Sequence, residues 1–327
     1  MREEGSLESS APIAKVRNAP SRTRRRKGSS LLLRGALTSA LLVAGGLALI
    51  RLLVGFSPNI GTFITTGHSL DAPGGQVPMA GLESGACISY PPASGRSNKT
   101  VFIDPGHGGI DPGVVASVGG RQALEKDATL AVANRLSDIL RADGYRVVMA
   151  RTRDSSVVKL SQNETADGAM KASAAHRDLL ARAACANAAQ AAVLLSIHFD
   201  AFDDPSVGGT ETFYDAARPF SAENKRLANA LQSALVAALG MSDRGVWSDD
   251  KLNAPSLTSA GREYGYLIEL GPKSAGWVDS PSQMPGALVE PLFLTNPAEA
   301  QMAVDPAGQQ RIAQALAIGL EKYLTGA

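Results

Sequence analysis

From Lys99 onward, short β-type apolar runs alternate with longer stretches whose apolar residues recur at helical spacing. "TVFID" (100–104) predicts a buried strand. Between Glu125 and Asp143, Ala128, Ala131, Val132, Leu136, Ile139 and Leu140 recur on one helical face, and Gly144 is placed to end the helix. "YRVVMAR" (145–151) predicts the next strand, and "HRDLLARAACANAA" (176–189) a helix. "AVLLSIHF" (192–199) carries no formal charge and predicts a strand buried on both faces. "TETFYD" (210–215) reads as a further strand. A helix is expected from Ser221, as N-cap, to Gly240. "YGYLIEL" (264–270) and "GALVE" (286–290) read as two late strands. Asp305-Pro306, an N-cap followed by proline in the first turn, opens a last helix running to about Leu324. Strands alternating with helices predict an α/β fold with a mainly parallel, twisted sheet and helices on both faces.

The first hundred residues follow a different pattern. "GALTSALLVAGGLALI" (35–50) is uncharged and bracketed by Arg34 and Arg51; with its flanks, the apolar region 31–56 reaches bilayer-spanning length. Lys15, Arg17, Arg22, Arg24, Arg25, Arg26 and Lys27 precede it without an acid among them. The expectation is a basic cytoplasmic tail (1–30), a transmembrane signal-anchor helix (31–56) and an extracytoplasmic remainder, by the positive-inside rule. A cleaved signal peptide is the alternative, disfavoured by the long basic segment and the lack of a clean A-x-A site. Residues 57–97, rich in Gly, Pro, Ser and Ala, lack periodicity and are expected to form a flexible linker before a single domain at 98–327.

Composition narrows the class. The formal charge is only +1, and the basic residues that could attract nucleic acid sit before the apolar segment rather than on the domain. A nucleic-acid partner is therefore not expected. Of the two cysteines, Cys87 falls in the linker and Cys185 in a predicted helix. A bridge is permitted outside the membrane, but two such positions give no framework, and the reading leans against one.

The candidate chemistry lies at strand ends. Only four histidines occur, His68, His107, His176 and His198. His107 follows the strand "TVFID" in a loop with three glycines, and His198 closes "VLLSIHF". Ligands in open α/β sheets gather at the carboxyl ends of strands. A catalytic zinc takes three protein ligands, His₂Glu among the standard sets, and Glu125 in "ALEKDATL" is the third candidate, unless it merely complements the helix dipole. Two carboxylates, Glu269 in "YLIEL" and Glu290 in "ALVEPLFLTNPAEA", are candidates for the base that such chemistry needs.

Taken together, these segments resemble the zinc-dependent N-acetylmuramoyl-L-alanine amidases. "VFIDPGHGGIDPG", "LEKD", "RTRD", "LLARAACANAA", "VLLSIHFDA", "GGTETFYD" and "PGALVEPLFLTNPAEA" are similar to that family's motifs, in consistent order over about 99–325. The resemblance implies that His107, Glu125 and His198 bind Zn²⁺ and that Glu290 is the acid–base residue, with Glu269 the runner-up. The substrate implied is peptidoglycan, cut between the muramic acid lactyl group and L-alanine. Two positions depart from the pattern: Asp200 stands where Asn is more usual, and Pro291 follows Glu290.

Two other readings are weaker. A serine hydrolase lacks its G-x-S-x-G elbow. A catalytically inactive wall-binding or regulatory protein on the same scaffold is disfavoured because all four site residues are present. Segments 155–175 and 242–262 are where a protein regulator would act, although an ordinary loop is the favoured reading of each.

Overall fold

A computed structural model describes residues 74–95, 97–166, 168–252 and 264–326. The expected tail, membrane helix and first part of the linker lie outside the described residues. Among the described residues, no helix is long and apolar enough to cross a membrane.

The chain forms, in order, β1 (Gly75–Gln76), β2 (Ala86–Tyr90), β3 (Thr100–Pro105), the hairpin β4 (Val115–Val118) and β5 (Arg121–Leu124), α1 (Glu125–Ala142) and β6 (Arg146–Arg151). A small hairpin, β7 (Thr165–Ala166) and β8 (Ala169–Met170), precedes α2 (Ala172–Ala188) and β9 (Val193–Ile197). Then come β10 (Thr210–Tyr214), α3 (Ser221–Leu239), β11 (Asp243–Ser248), β12 (Gly286–Glu290), α4 (Pro297–Val304) and α5 (Pro306–Thr325).

Eight strands make one sheet in the order β1-β2-β6-β3-β9-β12-β10-β11. The central run β6-β3-β9-β12 is parallel, as the helical crossovers require. On either side β2 runs antiparallel to β6 and β10 antiparallel to β12, while β10 and β11 are again parallel, so the sheet is mixed with a parallel centre. Strand alternation divides the core. Val101, Ile103, Met149, Leu195, Ile197 and Val289 face α1, α3 and α5 through Val132, Leu136, Leu231, Leu235, Ile312 and Leu316. Phe102, Val148, Ala150 and Leu194 face the other way, against Cys185 and Ala186 of α2. Helices therefore cover both faces, as expected.

Several expectations are corrected. Within the expected linker, the stretch 74–95 is not a loose tether: β2 joins the sheet beside β6 and buries Ala86 and Cys87 completely. Its Gly and Pro residues punctuate a five-residue strand, too short to show a period. Cys87 and Cys185 are disulfide-bonded, with Cα atoms 5.9 Å apart, tying β2 to α2 across 98 residues of sequence. The sequence leaned against this bridge because the contact depends on β2 being part of the sheet.

"YGYLIEL" is a series of turns, not a strand. Gly265 takes φ 76°, the Leu267 amide donates to the Asp249 carboxylate, and both Leu270 and Gly271 amides fold back onto the Leu267 carbonyl. Phe220, not Ser221, is the N-cap residue of α3, while Gly240 ends that helix in left-handed geometry. Asp305 caps α5 as expected, accepting from the Ala307 and Gly308 amides.

Candidate metal centre

Two adjacent parallel strands, β3 and β9, run out at the same edge, and a histidine follows each closely. Beyond β3, His107 adopts φ 62°, rare for a residue with a Cβ. Gly108 and Asp111 then exchange both backbone hydrogen bonds, at 3.0 and 3.2 Å, closing a tight turn. Beyond β9, the His198 amide donates to the Val289 carbonyl of β12 at 3.0 Å. The third group arrives on the β4–β5 hairpin, whose Gly119-Gly120 turn has positive φ at both positions. That hairpin delivers Glu125 as the first residue of α1.

Glu125 is fully buried and held from two sides. Its Oε2 accepts from the Val114 amide (2.8 Å) and its Oε1 from the Phe199 amide (3.1 Å). The same Oε1 lies 3.0 Å from His107 Nε2 and 3.1 Å from His198 Nδ1, and the two ring nitrogens are 3.2 Å apart. One ligand atom from each of the three residues thus falls within 4.8 Å of the others. Of the remaining histidines, His176 packs edge-to-face on Trp277, and His68 is outside the described residues.

The donor set fits a divalent metal. His107 Nδ1 is 2.9 Å from Asp111 Oδ2. Because an ionised carboxylate only accepts, Nδ1 carries the proton and Nε2 turns a lone pair toward Glu125 and His198. Burial alone would raise the Asp111 carboxyl, but His107 and the Gly113 amide outweigh it and hold it below the usual carboxylate range. Two imidazoles and a carboxylate form a His₂Glu set of the catalytic zinc type. Glycine makes the close approach possible: a Cβ on Gly106 would lie 2.3 Å from His198 Cε1, and one on Gly113 2.5 Å from Glu125 Oε2.

Glu290 ends β12. That strand pairs in parallel with β9 up to Val289–Ile197, so the next position on each strand sets Glu290 beside His198. Glu290 is buried and pairs across the other side with Glu211 of β10. The chain beyond it is tightly held. Thr210 Oγ1 donates to the Pro291 carbonyl, and Glu299 accepts from the Phe293 and Gly209 amides. Asn296 caps α4. Asp200 pairs through its main chain with Leu292 and Leu294, while its Oδ1 accepts the following Ala201 amide.

Glu269 sits elsewhere. It is buried in the turn before β12, against Asp104 and Arg182. Burial, reinforced by the Asp104 charge, pushes its carboxyl well above the ordinary range.

Sequence reasoning gave no role to the groups that shape the His107 turn. Arg182 of α2 donates from Nη1 to Asp104 Oδ1 (2.6 Å) and the Pro105 carbonyl (3.1 Å), and from Nη2 to the His107 carbonyl (2.9 Å) and Asp178 Oδ2 (2.8 Å). Arg151, at the end of β6, donates from Nε to the Pro105 carbonyl and from Nη2 to the Gly106 carbonyl, both at 2.9 Å. Two buried guanidinium groups thus hold three consecutive carbonyls. Burial, with Arg182 nearby, brings Arg151 down to about 10. For Arg182 burial is outweighed by Asp104 and Asp178, which raise it. The signal was present in "RTRD" and in an arginine amid the alanines of "LLARAACANAA".

An α/β sheet with a His, Glu, His cluster at its strand ends is the architecture of a hydrolytic enzyme, and the comparisons with known proteins give its kind. Residues 101–322 match the family Amidase_3, described as N-acetylmuramoyl-L-alanine amidase. The chain belongs to that family, whose members hydrolyse the bond between N-acetylmuramic acid and L-alanine in peptidoglycan. It is 32% identical over 225 residues to the N-acetylmuramoyl-L-alanine amidase LytC of Bacillus subtilis, covering 69% of this chain but 35% of LytC. It is also 32% identical over 230 residues to the germination-specific N-acetylmuramoyl-L-alanine amidase of the same organism, covering 70% of this chain and 81% of that protein. Among solved structures, the CwlD amidase from Clostridioides difficile, in complex with the GerS lipoprotein, superposes with a TM-score of 0.54 at 27% identity, covering 70% of this chain and all of CwlD.

Proposed function

We propose that this amidase is zinc-dependent, with His107, Glu125 and His198 as metal ligands and Glu290 as the acid–base residue, acting on peptidoglycan outside the cytoplasmic membrane. The observation that carries the reading is the convergence of His107 Nε2, His198 Nδ1 and Glu125 Oε1 within hydrogen-bond distance of one another, from three segments far apart in sequence. When bound, the metal supplies Lewis acidity toward the scissile lactyl carbonyl and toward water. The chain's own residues do the rest. Asp111 keeps the proton on His107 Nδ1, the Val114 and Phe199 amides fix both oxygens of Glu125, and β12 holds His198 in place. Glu290 accepts a proton from the attacking water at a carboxylate oxygen and returns it to the departing alanine nitrogen.

The extracytoplasmic location is supported by the Cys87–Cys185 bridge, since such bonds persist in oxidising compartments. It is also supported by the apolar segment 31–56 with its preceding arginines. In this reading residues 31–56 anchor the chain and 57–73 separate the anchor from the folded domain. Purified peptidoglycan digested with this protein should release stem peptides with a free N-terminal alanine, detected by mass spectrometry, and a metal chelator should abolish the release. Chelator-resistant cleavage would overturn the zinc assignment, and intact lactyl amides the amidase assignment.

A further inference from the structure

We propose that Glu269 is a positioning residue for this enzyme: its carboxyl group braces Asp104 and, through Asp104 and Arg182, fixes the main chain of the His107 turn. The inference rests on the ligand assignment just given. Asp104 is wholly buried at the end of β3, three residues before His107. One oxygen accepts from Arg182 Nη1 (2.6 Å) and the other from Ser196 Oγ (2.7 Å). The same guanidinium reaches the His107 carbonyl, so any tilt of Asp104 is transmitted to the first histidine. Glu269 packs against Asp104 from the turn before β12, and its Oε2 is buried with no donor within reach among the described residues.

Two buried carboxyl groups in contact are compatible only if one carries a proton. Charge counting says which. The charges that act most on Glu269 are Asp104 and Asp178 against Arg182 alone, so the site already carries an excess of negative charge. The arginine and serine contacts stabilise Asp104 as the anion, held below the ordinary range although burial opposes this. Glu269 therefore keeps the proton, and its hydroxyl donates to Asp104. A glutamine amide would donate in the same direction; an alkyl side chain would leave the space unfilled and Asp104 one donor short. Glu269 has no part in moving protons during turnover.

The test compares Glu269→Gln and Glu269→Ala in the full chain, with two readouts. Zinc affinity of the metal-free protein, measured by competition with a chromophoric chelator, should be unchanged in Glu269→Gln. In Glu269→Ala it should be weaker on the order of 10-fold, the scale for a group supporting a ligand from behind. Turnover should follow the same order: kcat near wild type for Gln, reduced for Ala, with KM little changed in either. The pH profile of kcat/KM should be the same for Glu269→Gln as for wild type, a reading that needs only the variant that keeps the packing. Loss of turnover in a zinc-loaded Glu269→Gln, a displaced pH profile in that variant, or wild-type zinc affinity in Glu269→Ala would overturn the inference. Wild-type protein that binds no zinc would instead overturn the ligand assignment beneath it.

Discussion

The two faces of the one sheet differ in where their buried charge lies. Against α1, α3 and α5 the strands present Val101, Ile103, Met149, Leu195 and Ile197, a largely hydrocarbon layer interrupted by Arg151 against Thr129 of α1 and by Thr212 against Gln232 of α3. Against α2 the same strands begin with Phe102, Val148 and Leu194 but give way, at the edge carrying the histidines, to Asp104 and Ser196, met by Asp178 and Arg182 of α2, all buried. Apolar packing is tolerant of small shifts, whereas a bidentate arginine bond to a carboxylate is not. The hydrocarbon layer supplies cohesion, and the charged network on the α2 side, joined by Arg151 from the α1 side, aims a turn of backbone. Buried ion pairs of this kind contribute little net stability, so the network is best explained by the position it imposes on His107.

Substitutions can break or sharpen the comparison. The largest effect belongs to Glu290→Gln, which removes the carboxylate proposed as the proton carrier. Turnover should fall about 10²–10⁴-fold, while metal content and melting temperature stay at wild type, checked by muropeptide mass spectrometry, elemental analysis and calorimetry. Next, Arg182→Leu should strand Asp104 and Asp178 as uncompensated buried charges, costing about 3–5 kcal/mol and weakening zinc binding as well, read by denaturant titration and chelator competition. Its counterpart on the other face, Leu195→Ala, should cost about 2–5 kcal/mol but leave zinc affinity and kcat of the folded protein unchanged. If Leu195→Ala disturbed the metal as much as Arg182→Leu, the division of labour would be wrong. Removing the bridge by Cys87→Ser with Cys185→Ser should cost about 2–4 kcal/mol, with little change in turnover.

The smallest effect is one of pH. Asp215 and Asp249 end the parallel strands β10 and β11 side by side, both fully buried. Burial, with the Asp215 charge, pushes Asp249 up to about 8. From the unfolded value of about 3.9 up to that point, the folded chain holds a proton that the unfolded chain has released. This pair therefore makes stability fall as pH rises through that window. Asp249→Asn should remove the slope, so its melting temperature should gain on wild type between pH 5 and pH 8. Parallel melting curves for the two proteins would contradict it.

What was legible in the sequence was periodicity and punctuation. The parallel core strands, the helices 125–142 and 306–325 and the strand-end placement of His107 and His198 all follow from apolar spacing and from Gly, Asp and Pro at the boundaries. What escaped was carried by contacts between distant segments. β2 is a five-residue strand whose membership depends on β6, and the disulfide depends on β2. "YGYLIEL" has the composition of a strand, but Gly265 turns the chain and Asp249 takes the Leu267 amide. Glu269 and Glu290 follow similar apolar runs and were offered as rivals, yet only Glu290 has a parallel partner that ends in a histidine. Local spacing could not reveal that Arg182, in a helix of alanines, points into the sheet.

The central claim is that three side chains hold one ion. Anomalous diffraction at the zinc edge from crystals of the protein grown with zinc tests it directly. The account predicts a single strong peak bonded to His107 Nε2, Glu125 and His198 Nδ1, each at about 2.0–2.2 Å. A peak at any other cluster of side chains, or none there at full zinc loading, would contradict it.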